Sequence, residues 1–167
     1  MCTKLNDLDV SCNKIEVLEG IESLLELTSL NVSHNALISL TGLKKNVALK
    51  TLIARGNKFV LSCPKRMCQR DQLLIDLPPR IAQIQQISNV PSLTSVDLSG
   101  NVVEDLNMAA STIRTLTNLV TLDMSENPVA KRNEYFFTIL ENKGISVSPV
   151  PNDRLELLSR FSSFHRK

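Results

Sequence analysis

Cys12 and His34 stand 22 residues apart, and each is followed directly by an asparagine. A thiol within reach of an imidazole is the pairing that makes a thiolate nucleophile. Asp9, Asp97 and Asp123 form a second set, each four residues ahead of an asparagine, at Asn13, Asn101 and Asn127. Carboxylates gathered on one surface are the ligands a hard cation takes. Cys63 and Cys68 are a third candidate, but a four-residue gap is not the zinc spacing and no second pair of Cys or His follows. Lys58, Lys65, Arg66 and Arg70, with no acid before Asp71, make a basic element suited to an acidic protein surface or RNA. A solvated loop is the preferred reading of this segment.

These chemistries depend on what positions the residues. The string Leu-x-x-Leu-x-apolar-x-x-Asn-x-apolar runs from Leu5 to Ile15, Leu27 to Leu37, Leu49 to Phe59, Leu93 to Val103 and Leu119 to Val129. Its asparagines, Asn13, Asn35, Asn57, Asn101 and Asn127, are separated by steps of 22, 22, 44 and 26 residues. The step of 44 is twice 22, which predicts a degenerate repeat over 71–92 with Pro79 in the asparagine's place. Its second half keeps phase, because Ile81, Ile84, Ile87, Val90 and Leu93 repeat the spacing of Ile15, Leu18, Ile21, Leu24 and Leu27. Its first half puts Asp71 and Asp76 where apolar residues belong. The step of 26 implies four extra residues near Asn107 to Ala110. A fixed period of this size is the mark of a stacked-repeat architecture.

The residue types have physical reasons. A short strand points its leucines into the stack, and one repeat cannot bury that face alone. The asparagine turns inward at the strand's end, where its amide pairs with backbone groups of adjacent turns that would otherwise be buried unpaired. These asparagines are therefore scaffold. The pattern over Leu27, Leu30, Val32, Asn35, Leu37, Leu40 and Leu43, with Ile15, Leu18 and Ile21, resembles the 22-residue class of intracellular leucine-rich repeats. That class includes a phosphatase regulatory subunit, an axonemal dynein light chain and a spliceosomal A-prime protein. The segment Asn127 to Tyr135 resembles the cap that closes such proteins.

The resemblance implies an α/β solenoid, with a curved parallel β-sheet on the concave face and short helices or turns on the convex one. Residues 1–130 are expected to hold six repeats, and 131–167 a C-terminal cap with a helix. Helix is expected around Asp105 to Leu116 and Asn133 to Asn142, with Tyr135, Phe136 and Ile139 buried. A last strand is expected at Ile145 to Val147. Asn152 or Asp153 is placed to cap a final helix docked by Leu155 and Leu158.

Length and charge narrow the function. The 167 residues suit one domain with a sizeable core. A net charge of +2 is too small to argue for nucleic acid by itself, and one Tyr with no Trp leaves no base-stacking platform, so a nucleic-acid partner is not expected. No run is long and apolar enough for a membrane span, and no signal peptide is read at the start. Cys2, Cys12, Cys63 and Cys68 are read as free thiols of a reducing compartment, so the chain is expected in the cytoplasm, with the nucleus as alternative; the family resemblance implies cytoskeleton or cilium as its setting. No amino-terminal cap precedes Leu5, so more chain or a partner is expected to cover that edge.

The outward strand positions form columns. The middle one reads Asp9, Asn31, Ile53, Ile75, Asp97 and Asp123; farther along lie Arg55, then Cys12, His34 and Glu126. Asp9, Asn31, His34, Ile53, Arg55, Ile75, Asp97, Asp123 and Glu126 are the expected partner-binding residues. An apolar centre at Ile53, Leu73, Ile75 and Leu77 inside a polar rim has the makeup of a protein-binding site. On such an open face nothing orients His34 and no oxyanion hole forms, so no enzyme is expected, and no cofactor or metal. The expected function is a protein-protein interaction module, a cytoskeletal or ciliary scaffold by resemblance. The alternatives are a regulatory subunit docking an enzyme such as a phosphatase and a ribonucleoprotein component. The phosphatase reading implies aromatics on the concave side, and these are missing.

Overall fold

A computed structural model describes residues 4–57, 85–140 and 145–148 of the chain. Among them, six three-residue strands pair in parallel in sequence order: β1 (Asp7–Asp9), β2 (Ser29–Asn31), β3 (Thr51–Ile53), β4 (Ser95–Asp97), β5 (Thr121–Asp123) and β6 (Ser146–Ser148). The register is unbroken. Asp9 pairs with Asn31, Asn31 with Ile53, Ile53 with Asp97, Asp97 with Asp123 and Asp123 with Ser148. Parallel strands need a crossover, and between β1 and β2, β2 and β3, and β4 and β5 it is the convex half of a turn. The expected α/β leucine-rich solenoid is the observed one.

The convex side follows the apolar phase. Three-residue to five-residue 3-10 turns occupy Ile21–Ser23, Thr41–Lys45 and Gln85–Asn89. The 26-residue step has room for more. There α1 (Leu106–Thr115) forms, with Asp105 at its N-cap accepting from the Met108 amide at 3.0 Å. Leu106, Ala109, Ala110 and Ile113 share its buried side, the spacing of an amphipathic helix. The four extra residues expected at Asn107 to Ala110 are thus a turn of this helix. In the cap, α2 (Tyr135–Leu140) buries Tyr135 and Ile139 as expected, and the last strand begins one residue later than predicted.

The step of 44 has a different outcome in the sheet. β3 pairs directly with β4, Thr51 to Ser95 and Ile53 to Asp97. No rung lies between them, so the column does not pass from Ile53 through Ile75 to Asp97. The convex half kept phase, since Ile87, Val90 and Leu93 are buried, whereas the sequence of the other half puts Asp71 and Asp76 at two of the three inward positions that apolar residues hold in the other repeats. Ile75 lies outside the described residues, as do Leu73, Leu77, Pro79, the basic segment 58–70 and the expected helix after Asn152.

The asparagines hold the turns together. Asn35 accepts from the Ile15 amide at 3.0 Å and donates to the Val10, Val32 and Ser33 carbonyls at 2.9 to 3.2 Å. Asn57 repeats this with the Leu37 amide and the Val32, Ala54 and Arg55 carbonyls. Asn101 reaches back to the Ala54 carbonyl, 47 residues earlier, at 3.1 Å, which carries the ladder across the long step. Asn127 closes it on the Val103 amide and the Leu98 carbonyl. Asn13, at the first turn, is exposed and donates only within its own turn, to Val10 and Ser11. Leu8, Val10 and Ile15 are correspondingly half-buried where Leu30, Val32 and Leu37 are fully buried, and a groove of about 320 Å³ opens among Leu8, Val10, Ile15, Leu18, Ile21 and Leu24.

Asn57→Ala strands the buried Leu37 amide, while the Val32, Ala54 and Arg55 carbonyls keep the Asn35, Asn101 and His34 donors, so it is expected to cost about 2 kcal/mol in urea unfolding, and Asn13→Ala under about 1 kcal/mol. The Tyr135 phenol donates to the Ser148 carbonyl at 3.3 Å, and burial, then the nearby Asp123 charge, raise its pKa above the ordinary range. The folded state therefore favours the protonated phenol. That contribution is complete below the unfolded tyrosine value of about 10 and declines as pH rises past it. Tyr135→Phe is expected to cost about 1 kcal/mol at neutral pH, with the gap to wild type closing in unfolding measured above about pH 10.

Candidate functional site on the concave face

The outward residues of the strands do two jobs. In four of the five full turns, the middle column caps the bend that follows the strand. Asp9 Oδ1 accepts from the Ser11 amide at 2.8 Å, Asn31 Oδ1 from Ser33 at 3.1 Å, Asp97 Oδ1 from Ser99 at 2.9 Å and Asp123 Oδ1 from Ser125 at 2.8 Å. Asn31 and Asp97 also accept from the Ser33 and Ser99 hydroxyls. This is the Asx turn, in which a short side chain replaces a backbone acceptor. Its bonds, led by the Ser11 side chain, hold the Asp9 carboxyl below its ordinary pKa. The sequence reading placed Asp9, Asn31, Asp97 and Asp123 on the face but missed their scaffold task. The recurring Asp/Asn-x-Ser spacing was its signal.

The third turn breaks the rule at both positions. Ile53 replaces the acceptor and Arg55 replaces the serine. Ile53 is half-buried at the centre of the sheet, between Asn31 and Asp97. Arg55 is exposed and reaches past β4 to Glu126, Nη2 to Oε1 at 3.2 Å. Those side chains are 48% and 63% exposed, so the pair adds less than about 1 kcal/mol.

The next column is a backbone feature. Cys12, His34, Gly56, Gly100 and Glu126 all have φ between 53° and 63°, the left-handed bend that turns the chain inward to each ladder asparagine. Glycine takes this conformation freely, and other residues are strained by about 1–2 kcal/mol. His34 leans over Gly56, its Nδ1 2.7 Å from where a Cβ would stand, and Glu126 Oε2 lies 3.3 Å from the same point on Gly100. The imidazole therefore faces the following turn rather than Cys12, and Cys12 is a free, exposed thiol. The nucleophile arrangement considered from the sequence is not assembled.

The face collects one sign of charge. Asp7, Asp9, Asp97, Asp123 and Glu126 stand on it against the single guanidinium of Arg55, among the described residues, although the whole chain carries +2. Asp97 and Asp123 are direct register partners. No group of three metal-ligating side chains occurs among the described residues, and no described helix is long and apolar enough to cross a membrane.

His34→Gly removes strain and little packing, so it is expected to raise stability by about 1 kcal/mol in urea unfolding. Gly56→Ala is expected to lower it by about 1–2 kcal/mol, because the added methyl meets both the positive φ and the His34 ring.

Comparison with known proteins gives the same architecture. The family model described as the leucine-rich repeat domain of the endo-beta-N-acetylglucosaminidase EndoS matches residues 3–127. Among solved structures, an internalin (InlF) of Listeria monocytogenes aligns over 90% of this chain with a TM-score of 0.63 and 23% identity. A chain of the Drosophila melanogaster SNF/U2A' complex aligns over 93%, with a TM-score of 0.64 and 21% identity. The functional domain of InlJ, also from Listeria monocytogenes, aligns over 87%, with a TM-score of 0.55 and 23% identity. The chain spans 36% of the InlF chain, 80% of the Drosophila chain and 24% of the InlJ chain. Among curated proteins none matches.

Proposed function

This chain belongs to the family of leucine-rich repeat domains, and from that membership we propose that it is a non-enzymatic module whose concave face holds a protein partner. Extended concave surfaces are what stacked repeats offer to partners. The observation that carries the reading is the third turn. Four turns spend their middle column on capping, while Ile53 and Arg55 give up that cap. Positions that break a local rule without a structural gain are where function is expected. Strain points the same way. His34 and Glu126 keep side chains where glycine is favoured, and an observed backbone outlier supports a functional role.

The contact surface is centred on Ile53 and Arg55, with His34 and Glu126 beside them and Asp9, Asn31, Asp97 and Asp123 around them. An apolar centre within a charged rim gives anchor and orientation respectively. The acidic field selects a basic partner. The open curve excludes no water, and Asp97 and Asp123 each hold a turn with one oxygen, which supports binding rather than chemistry. The setting is proposed to be a cytoplasmic scaffold of the cytoskeleton or cilium, with the apolar groove at the first turn covered by further chain or a partner.

A second reading is a place in a ribonucleoprotein. It is supported by the likeness to a chain of the SNF/U2A' complex over 93% of this chain and 80% of that one. The two readings differ in salt dependence, since RNA contact loses affinity steeply with salt.

The test uses the purified chain as bait beside an Ile53→Glu, Asp97→Arg variant. Partners bound at the concave face are expected to lose at least tenfold in affinity, about 1.4 kcal/mol. Retention of the same partners by the variant overturns the reading. Asp97→Asn is the control for folding, because Asn31 makes the same turn cap in its own repeat.

A further inference from the structure

We propose that the occupant of the concave face is an extended segment in the polyproline II conformation, with Lys or Arg, two residues, an aliphatic residue, two residues, then Lys or Arg. This rests on the concave-face reading and adds the shape and sequence of what binds there. Three observations lead to it: the pitch of the column, the groups beside it and the placement of its charges.

The column of register partners is a ruler. Asp9, Asn31, Ile53, Asp97 and Asp123 follow one another strand by strand. Neighbouring strands lie about 4.8 Å apart, so Ile53 is about 9.6 Å from Asp9 on one side and from Asp123 on the other. A polyproline II chain has three residues per turn at about 3.1 Å each, which returns a side chain to the same face every ~9.3 Å. An α-helix returns to one face after about seven residues, at 1.5 Å each or ~10.5 Å. On a concave surface the side-chain tips lie closer together than their strands, which favours the shorter repeat. From Asp9 to Asp123, about 19 Å, the extended chain needs six residues and stays in step, whereas the helix overshoots by about 2 Å.

The surroundings fit an extended backbone. Each strand has three residues, so the band is about 10 Å across, the width of one chain. Ser29, Thr51, Ser95, Thr121 and Ser146 line the column beside the ruler with hydroxyls. A polyproline II backbone makes no internal hydrogen bonds and must find partners outside itself. A helix has satisfied its backbone already and has no use for such a row.

Charge sets the end residues. Asp9 and Asp123 sit two rungs on either side of Ile53. Asp123 stands directly beside Asp97, and like charges opposite one another across strands repel. An incoming guanidinium or ammonium near Asp123 relieves that repulsion, and one near Asp9 meets a carboxylate already held ionised by its turn. The pattern reads the same in both chain directions.

The test is direct binding of synthetic peptides to the full chain, followed by fluorescence anisotropy. The first is Arg-Pro-Pro-Ile-Pro-Pro-Arg with a labelled flank. The second has the same composition with both Arg adjacent to Ile. The third is an Ala-rich helical peptide with Arg seven residues on either side of Ile. The first is expected to bind at least tenfold more tightly than the others. Asp9→Asn with Asp123→Asn is expected to abolish that preference while leaving the thermal unfolding midpoint near wild type, since asparagine caps this turn in the second repeat. Equal binding of the first two peptides, or tighter binding of the helical one, overturns the proposal. If none binds while Ile53→Glu, Asp97→Arg still releases the partners held by the bait, the extended segment is wrong and the concave-face reading stands. If none binds and the variant releases nothing, both are wrong.

Discussion

The backbone of each turn must be paired inside the stack, and the asparagine amide is the group that does it. At Asn35 and Asn57 a side chain with one acceptor and one amide nitrogen serves two successive turns, taking an amide from the earlier one and reaching carbonyls of both. An unpaired buried amide costs about 1–3 kcal/mol, so no leucine packing alone would let these bends enter the interior. The remainder follows from that bond. The strand must end where the asparagine turns in, the residue before it must take positive φ, and in every turn but the third the residue four before it caps the bend. Three columns of the concave face are thus set by one side chain that lies beneath it.

That dependence sorts the face. A residue there is scaffold if every turn needs it, and a candidate for recognition if a turn departs from the rule. Asp9, Asn31, Asp97 and Asp123 each cap with one oxygen; the second oxygen of Asp97 and of Asp123 takes no part in the cap, whereas Asp9 Oδ2 accepts from the Asn31 amide at 2.9 Å. Ile53 and Arg55 cap nothing. The acidic surplus of the face against a slightly basic chain is therefore partly a by-product of capping, as acidic and amide side chains are the ones that fit an Asx turn.

Much of this was legible in the residues. The period marked the buried leucines and the ladder asparagines, because each recurs at one phase, and the family resemblance carried by that period implied the parallel sheet. The helix at Leu106–Thr115 was legible because a longer step leaves room for one. The column of Cys12, His34 and Glu126 was placed correctly on the face, but its positive φ was hidden: only Gly56 and Gly100 hinted at it, and three non-glycine residues masked the hint. The direct pairing of β3 with β4 was not legible either. Arithmetic divided the 44-residue step evenly, but a rung needs apolar residues at the inward phase, and there the segment carries Asp71 and Asp76. Asn46 was also missed. It stands at the phase of Leu24, Val90 and Leu116, yet is buried and donates to the Ile21 and Leu24 carbonyls at 2.9 and 2.8 Å, a second stitch on the convex side.

The long third step has one more consequence. Because β3 meets β4 in the same register that every other pair uses, the sheet is indifferent to how much chain runs between them. Doubling a connection from 22 to 44 residues costs only about 0.6 kcal/mol of loop-closure entropy, less than a single ladder asparagine contributes. Extra sequence can therefore accumulate at that crossover at little thermodynamic cost, and the concave sheet stays as it was. The architecture separates what is free to lengthen over evolutionary time from what must keep its spacing.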